Sequence, residues 1–476
     1  MATAITFMTT GGLVMSFEVD HRRETFQLFR RLRRDCRLAR GPGQRRRFNK
    51  GTWRLATVLV LALLGVSSGY GQPLALAQPL SAATVGAGVV GVDAGSALSA
   101  AANPALLGLR QHSFQLSLTP IVGSLKNNAF TFEDIRKLSE SDWEPEDEQW
   151  FLQQIPDKDG AWRLGADGAA GARLAVGPVS VGGEAVLAVD ARLDKGILEF
   201  LLDEEPVIDK QYSIARTGGS VMGYGELGGS LTMPVAPLAR MLGVKAVHAG
   251  LGYKMLYGIG FAEVTADGEG FKVEEDPLTG APKVKDAVDA RVKIVSGEKG
   301  RGSAFDVGVA VEINDNLFVD LAVVNIGEIR WEDAHRRIYE AHIKGGDLST
   351  DPEAEMKEID SEPLKDYAID APQTVRAGIG GKVGGAIRWA AEYSHQVKGP
   401  GKGTSTFGAG VELAYLKVLP LRLGMRSASG SSPVYSAGFG VNLGLVTIDV
   451  GTPDLGAFLG GKSTEWAVAF STGLRF

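Results

Sequence analysis

The chain ends on "STEWAVAFSTGLRF", residues 463–476, and this stretch decides the fold class. Every second residue, counted back from the end, belongs to one largely apolar set: Phe476, Leu474, Thr472, Phe470, Val468 and Trp466. The residues between them are small or charged. A period of two over this length predicts a strand with one apolar and one polar face. Chain termini usually fray unless they are tied down, so we expect this strand to pair with the first strand, near residues 114–122.

The same alternation recurs through the rest of the chain. Fifteen segments show it: 114–122, 170–176, 180–189, 219–233, 246–264, 284–295, 304–313, 317–329, 374–383, 387–394, 407–416, 419–426, 434–441, 445–450 and 464–476. Bacterial single-chain barrels have an even number of strands, so we expect one misassignment. The sequence therefore predicts an all-β fold, a transmembrane antiparallel β-barrel of about 14 strands. A soluble exported sandwich, whose apolar face would meet a second sheet, is the alternative.

Glycine is the outlier of the composition. The chain has 63 glycines in 476 residues, about twice the usual share, and they follow no collagen-like period. A hydrophobic fraction of 44% is too high for a disordered chain. No stretch after residue 78 has about 18 consecutive apolar residues, so we expect no transmembrane helix. This composition favours closely approaching β backbone.

The N-terminal part resembles an export signal. Residues 45–77 hold a basic patch, an apolar core at 55–66 and the cleavage-type site Ala75-Leu76-Ala77, the layout of a secretory signal peptide. Residues 1–44 are either a longer leader or an upstream-extended start. The run of arginines at 45–47 also resembles a twin-arginine signal, used for cargo that folds before export, which a barrel folding in lipid could not use.

Charge and motifs exclude several function classes. Asp and Glu exceed Lys and Arg, 56 to 50, and removing the basic residues 1–77 increases the excess, which argues against nucleic acid. The single cysteine, Cys36, lies in the predicted leader, so no disulfide or Cys-based zinc site is expected. The remaining histidines show no ligand spacing. "GAFLGGKS" at 456–463 fits the phosphate-loop pattern, but no helix is expected after it. We predict no enzyme activity and no cofactor or metal.

Charged residues on the small-residue face of the strands are candidates for the barrel lumen: Asp306, Arg388, Glu392, Glu412 and Arg475. An arginine facing lipid at the midplane would cost about 2–4 kcal/mol. Arginine at outward Leu413 is therefore predicted to abolish assembly, and arginine at inward Gly410 to be tolerated.

Two further features complete the barrel prediction. Aromatic residues at strand ends suit an interfacial girdle: Trp331, Trp389, Tyr415 and Trp466. Long charged connections, above all 332–371, alternate with short turns, as in outer-membrane barrels. Within that loop, "DPEAEMKEIDSEPLKD" is predicted to form a solvated helical face.

Asn103-Pro104-Ala105 resembles the "NPA" that follows the N-terminal hatch in FadL-type long-chain fatty-acid transporters and their relatives. "VNIGEIRW" at 324–331 and "PLRLGMRSASGSSPVYSAGFGVNLGLVTIDVG" at 420–451 look like an uncharacterised branch of that outer-membrane superfamily, near the TraF-like and PorV-like barrels. The resemblance implies a 14-stranded barrel at 112–476 with a small N-terminal plug, the hatch, at 78–111, surrounded by outer-membrane lipid.

The resemblance also implies function. The first hypothesis is a channel or transporter for a hydrophobic small molecule. Since some relatives are secretion or assembly components, the alternative is a non-transporting barrel that binds a protein partner through its long acidic loops. The terminal strand, with Phe476, Leu474 and Phe470, resembles the signal read by the outer-membrane assembly machinery. The sequence leaves the oligomeric state open.

Overall fold

A computed structural model describes the chain in two units, residues 1–50 and 51–476. The structure describes residues 3–8, 14–19, 81–131, 133–134, 145–156, 160–202, 207–275, 277–278, 280, 282–284, 289–343, 354–400, 402–414, 418–429, 433–459 and 464–476. In the first unit, β1 (Thr3–Met8) and β2 (Val14–Val19) form an antiparallel hairpin. The rest of the predicted leader and the whole of the predicted signal peptide lie outside the described residues.

Fourteen strands form the wall of the second unit. They are β3 (Phe114–Asn127), β4 (Ala161–Val176), β5 (Val179–Asp194), β7 (Gly218–Pro234), β8 (Ala246–Glu275), β10 (Asp289–Asn314), β11 (Leu317–Trp331), β15 (Thr374–Val383), β16 (Ile387–Gln396), β17 (Ser405–Leu413), β18 (Leu421–Ala428), β19 (Val434–Asn442), β20 (Val446–Thr452) and β21 (Glu465–Arg475). Each pairs antiparallel with the next, and β21 pairs with β3. The ring is therefore closed, which confirms the predicted 14-strand barrel.

Shorter elements fill or decorate this ring. The hatch contains α1 (Ala82–Ala87), a 3₁₀ helix (Val90–Asp93), α2 (Ser99–Ala102) and a second 3₁₀ helix (Pro104–Leu109). The connections contain α3 (Pro145–Gln154), α4 (Lys195–Leu202), β6 (Gln211–Tyr212), α5 (Ala236–Leu242), β9 (Pro282–Val284), β12 (His335–Ile343), β13 (Ala354–Pro363), β14 (Tyr367–Asp370) and α6 (Gly456–Leu459). The helices in the described part of the chain are all too short or too polar to span a bilayer.

The terminal strand closes the barrel as predicted. Phe114 and Phe476 exchange two backbone hydrogen bonds, N–H to carbonyl oxygen at 3.0 and 3.1 Å. Their rings stack with centroids 4.5 Å apart. The unpaired edge of β21 is thereby removed. The expected misassignment is also located, because the predicted segments 284–295 and 304–313 belong to one strand, β10.

The outer surface of the ring is apolar. Each of the fourteen strands exposes at least one large hydrophobic side chain, from Leu118 on β3 to Val468 on β21. Ile259 is 67% exposed and Phe439 is 49% exposed. A soluble sandwich would cover such a face with a second sheet, whereas here the sheet closes on itself. The sandwich alternative is wrong, and the chain forms a closed antiparallel β-barrel with an apolar outer surface.

The two ends of the barrel differ. The end called here the short-turn end carries the connections 177–178, 315–316, 384–386 and 443–445 and both ends of the ring, whereas the long-loop end carries 128–160, 195–217 and 332–373. At the long-loop end, β8 and β10 run for 30 and 26 residues, far beyond the roughly 9–11 residues that cross a bilayer. The outer part of β10 pairs with β8 and with β12, and β12 pairs with β13. We call this extension the arm.

The acidic run was predicted to be helical, and this prediction is wrong. Its residues 354–363 form β13, because β12 offers a paired strand with complementary charges. Arg336 contacts Asp360 at 3.4 Å and Glu362 at 2.6 Å. Pairing partners distant in sequence override a local helical pattern.

Trp331 is a second correction. It was predicted to lie in an interfacial girdle, but it is only 2% exposed. It packs on Phe261, with ring centroids 4.6 Å apart, in a cluster at the base of the arm. This cluster, called here the cap core, comprises Met222, Tyr224, Leu256, Phe261, Val295, Ala304, Ile329, Trp331, Ala334 and Ala371. Trp331 faces protein because its strand continues into the arm.

Candidate functional site in the barrel lumen

The hatch lies in the lumen against a wall of glycines. A Cβ atom at Gly410 would lie 1.9 Å from the carbonyl oxygen of Ala87, and one at Gly308 would lie 2.0 Å from Oδ1 of Asn103. Real Cβ atoms do not approach so closely, so these positions require glycine. Similar contacts join the hatch to other inward glycines: Gly250, Gly408, Gly424, Gly438 and Gly451. The high glycine content therefore serves, in part, to seat the hatch.

The predicted hatch motif 103–105 fixes one end of the hatch. The Asn103 side chain caps the second 3₁₀ helix by accepting from the Ala105 N–H at 3.0 Å. Its amide nitrogen donates to Asp320 on β11 at 2.9 Å. The Pro104 carbonyl accepts a hydrogen bond from Thr232 on β7. One asparagine thus stabilises the helix start and ties it to the wall.

Glu392 ties the other part of the hatch to the wall. Its Oε2 accepts from the Val90 N–H at 3.2 Å, and its Oε1 pairs with Arg376 on β15. Arg376 is 8% exposed. A carboxylate placed against a backbone N–H in the lumen forms a charge-assisted hydrogen bond. Glu392 therefore contacts hatch and wall together.

Three of the predicted lumen residues surround one site at the short-turn end. Glu412 contacts Arg388 at 3.3 Å and Arg422 at 2.8 Å, and Arg422 also contacts Asp449 at 2.6 Å. Arg475 lines the same cavity as these residues. The hatch adds Asp93, whose pKa is raised by burial and lowered in part by Arg422.

Asp306 lies on the opposite side of the lumen. Its Oδ2 is 3.2 Å from Lys254 Nζ, and Lys254 also lies 3.6 Å from Glu226. The N–H of Asn325 donates to Asp306 at 2.7 Å, and Lys254 donates to the Asn325 side chain at 2.8 Å. Asn325 has a φ of 60° beside the register shift at Asp306, a conformation that asparagine tolerates better than most residues. Arg173 contacts Glu226 at 3.9 Å.

Two cavities flank the hatch on the side of β16–β21. The first, of about 60 Å³, lies toward the long-loop end and is lined by Val85, Arg376, Glu392, Arg426 and Ser436, among others. The second, of about 120 Å³, lies toward the short-turn end beside Ser81 and Asp93. Since Thr84 and Val85 line the first cavity and Ser81 and Ala83 the second, α1 is the partition between them.

Sequence reasoning missed Lys254, Arg173, Arg422 and Arg426. The signal was present, because each is a charged residue on the small-residue face of a strand, as Arg422-x-Gly424-x-Arg426 shows. The prediction that Gly410 tolerates arginine is wrong, since the Ala87 carbonyl occupies that space. No cluster of metal-ligating side chains occurs among the described residues.

The structure also places the remaining predicted aromatic residues and the residues of the predicted assembly signal. Trp389 lies near the short-turn end, on the outward face of β16. Tyr393 lies on the same face and is 48% exposed. Trp466 lies on the apolar face of β21, opposite Leu125 of β3 and near the long-loop end. Tyr415 lies outside the described residues. Leu474 and Phe476 are exposed on the outer surface, and Phe470 is half-buried beside the register shift of β21.

The chain is similar in fold to several solved structures. The toluene transporter TbuX of Ralstonia pickettii is 12% identical, with 84% of this chain and 99% of that chain covered at a TM-score of 0.49. The toluene transporter TodX of P. putida is 9% identical, with 79% and 93% covered at 0.45. A Pseudomonas aeruginosa FadL homologue is 11% identical, with 84% and 99% covered at 0.44.

A family also matches the sequence itself. No curated protein matches the chain. Residues 104–366, more than half of the chain, match the family described as "Family of unknown function (DUF5723)". The match runs from the end of the hatch through the arm to the segment before β14. The chain therefore belongs to the DUF5723 family.

Proposed function

We propose that this protein is an outer-membrane channel for a hydrophobic small molecule, with the hatch as its closure. The observation that carries the proposal is a closed ring with apolar side chains outside on all fourteen strands and a separate, glycine-seated segment inside. An apolar band around a closed barrel suits lipid. The short-turn end would then face the periplasm, and the assembly machinery would read β21.

The kind of contact that holds the hatch supports the proposal that the hatch can move. It is held to β16–β21 chiefly by close backbone packing and a few hydrogen bonds, such as Ala82 N–H to Ser471 at 3.0 Å. Valines at 85, 89 and 90 line the first cavity, which gives an apolar solute a surface to contact. In the described part of the chain the two cavities are separate, with α1 between them. Passage would require a shift of α1.

A disulfide tests this requirement. A Cβ atom at Gly91 would lie 2.7 Å from the Cβ of Ala390 on β16, closer than the roughly 3.5–4.5 Å of a disulfide, so the hatch and β16 must move apart by about 1 Å for the bond to form. We expect the double variant Gly91→Cys/Ala390→Cys, oxidised in liposomes, to take up the apolar probe N-phenylnaphthylamine no faster than empty liposomes, and reduction to restore uptake. Each single cysteine variant is the control. Uptake at the wild-type rate by the oxidised pair would contradict the proposal.

The arm favours a second candidate function, capture of a protein partner. It projects past the barrel, and the side chains of residues 357–362 on β13 are exposed, three of the six being acidic. Deleting all of 332–371 would remove Ala334, Tyr367 and Ala371, which belong to the cap core or pack against it. A sharper variant replaces 336–362 with a short turn, since His335 and Pro363 are paired at the base. Loss of partner capture with unchanged uptake would favour this function, and the reverse result would favour the channel.

A further inference from the structure

The first cavity contains a basic side chain, Arg426, that has no ion-pair partner among the described residues. Arg426 projects from β18 on the inward face shared with Gly424 and Arg422. Arg422 has two carboxylate partners. Arg426, by contrast, makes no hydrogen bond and no ion pair within 4.0 Å to any residue in the described part of the chain.

The nearest carboxylates do not neutralise this guanidinium. Glu392 and Glu465 attract Arg426 electrostatically, but neither forms an ion pair with it within 4.0 Å in the described part of the chain. Glu392 is already engaged by Arg376 and by the Val90 N–H. A charge removed from bulk water without a partner is unfavourable, so the cavity favours a bound anion.

A second polar group points to the same place. The hydroxyl of Ser436 is buried, lines the first cavity and has no hydrogen-bond partner among the described residues. Arg426 is directly opposite Val434, so Ser436 is its diagonal neighbour across β18 and β19. Diagonal neighbours are within reach of a long side chain. Arg426 and Ser436 can therefore donate to one ligand.

The size and the rest of the lining limit that ligand. A cavity of about 60 Å³ has room for roughly four water-sized groups. Val85, Val89, Val122 and Ala467 supply an apolar wall beside the two donors. The combination suits a carboxylate with a very short carbon chain, since a planar guanidinium donates two parallel hydrogen bonds to a carboxylate.

We propose that this cavity binds a small organic monocarboxylate, of the size of acetate, between α1 and the wall. The carboxylate oxygens accept from Arg426 and Ser436, and the carbon atoms contact Val85 and Val122. The inference goes beyond the proposed function, because it concerns binding to the closed barrel and requires no passage. Failure of binding would leave the uptake experiment untouched.

The test uses the purified protein in a non-ionic detergent, with ¹³C-acetate as the probe and NMR line broadening as the readout. We expect saturable binding of acetate and none of the neutral isostere acetamide. Arg426→Gln should weaken binding about ten- to a hundredfold, the range expected for a hydrogen bond to a charged group. Ser436→Ala should weaken it about fivefold. Arg330→Gln, which removes an exposed arginine, should change nothing.

Other results would overturn the proposal. Equal binding of acetamide would show that charge is not recognised. Unchanged acetate affinity in Arg426→Gln would show that the guanidinium is not the donor. Binding of chloride without competition from acetate would indicate an inorganic ion only. Heat-modifiable gel migration reports whether each variant folds, and if Arg426→Gln does not, unchanged affinity in both Arg426→Lys and Ser436→Ala would decide against the site.

Discussion

The two sides of the barrel lumen are closed by different means. On the side of β7, β8, β10 and β11, a network of buried charges around Lys254 lies between the hatch motif and the cap core. On the side of β16–β21, inward glycines admit the hatch backbone to contact distance, and both cavities lie there. We call these the charged side and the glycine side. The glycine side also holds the ion pairs of Arg422 with Glu412 and Asp449, and the charged side also seats the hatch on Gly250 and Gly308, so the two sides differ in the proportion of ion pairs and close packing.

This difference bears on movement. Breaking a buried ion pair leaves an uncompensated charge, which is strongly unfavourable. Packing contacts are individually weak, and a segment held by them can shift with a smaller loss at each contact. The charged side is therefore expected to remain fixed while the glycine side opens. The predictions below test that contrast.

The largest effect is expected from weakening the pairing of β21 with β3, which closes the ring. Deleting Phe476 removes its two backbone hydrogen bonds and the stacked ring at Phe114. An open sheet edge is not tolerated in lipid, so export and signal cleavage should continue while the chain accumulates unfolded and protease-sensitive in the periplasm. Surface labelling and protease treatment of fractionated cells measure this. Normal insertion would contradict the role of the residue.

The next largest effect is expected on the charged side. Lys254→Met leaves Asp306 and Glu226 without their shared cation, and we expect a loss of about 3–5 kcal/mol in the free energy of unfolding, measured by urea titration in detergent. Arg330→Gln breaks an exposed pair with Glu328 and should cost less than about 1 kcal/mol. Equal losses in the two variants would show that burial of the network contributes nothing.

The glycine side is tested by adding a side chain at an inward glycine that contacts the hatch backbone. Gly410→Val places a side chain where the Ala87 carbonyl lies, and overpacking of this kind costs about 1–3 kcal/mol. We expect the hatch to be displaced, which would raise single-channel conductance and expose residues 81–111 to protease. Gly168→Val is the matched control, because nothing lies within 4 Å of its added Cβ and the opposing Leu187 faces outward. If Gly410→Val had the conductance of the wild type and its residues 81–111 stayed protected from protease, the hatch would not be held on the glycine side by close packing.

The strands of the ring could be predicted from the sequence because each carries its own period of two. Wall strands such as β16, β17 and β19 alternate without interruption. The segment 296–303, "SGEKGRGS", has no apolar face, so β10 was divided into two. The arm strands β12 and β13 depend on each other for pairing, and no local pattern in either shows this.

The candidate site could be predicted only in part. The composition of the hatch and its Asn103 motif are local features, and the lumen charges share a face with glycines, so both were accessible from the sequence. Which charge meets which depends on register across the ring. Lys254 meets Asp306 although they are 52 positions apart, and Glu392 meets the Val90 N–H 302 positions away. A single sequence holds no information on such pairings.

The smallest effect is a pH dependence of hatch seating on the glycine side. Burial raises the pKa of the Asp93 carboxyl above its ordinary value, Arg422 lowers it in part, and Asp449 and Glu412 raise it further. Because the pKa is higher in the folded state than in the unfolded one, the folded hatch binds the proton more tightly. The stabilisation from this group is fully present below the unfolded pKa and is lost as the pH rises through the raised value. We therefore expect the unfolding free energy of the wild type, relative to Asp93→Asn, to fall as the pH is raised from 4 to 8. The change should be smaller than the effect of Gly410→Val, and urea titrations at each pH measure it. A relative stability that rises with pH would mean that the attraction of Arg422 outweighs the burial of Asp93, and the glycine side would then depend on an ion pair as the charged side does.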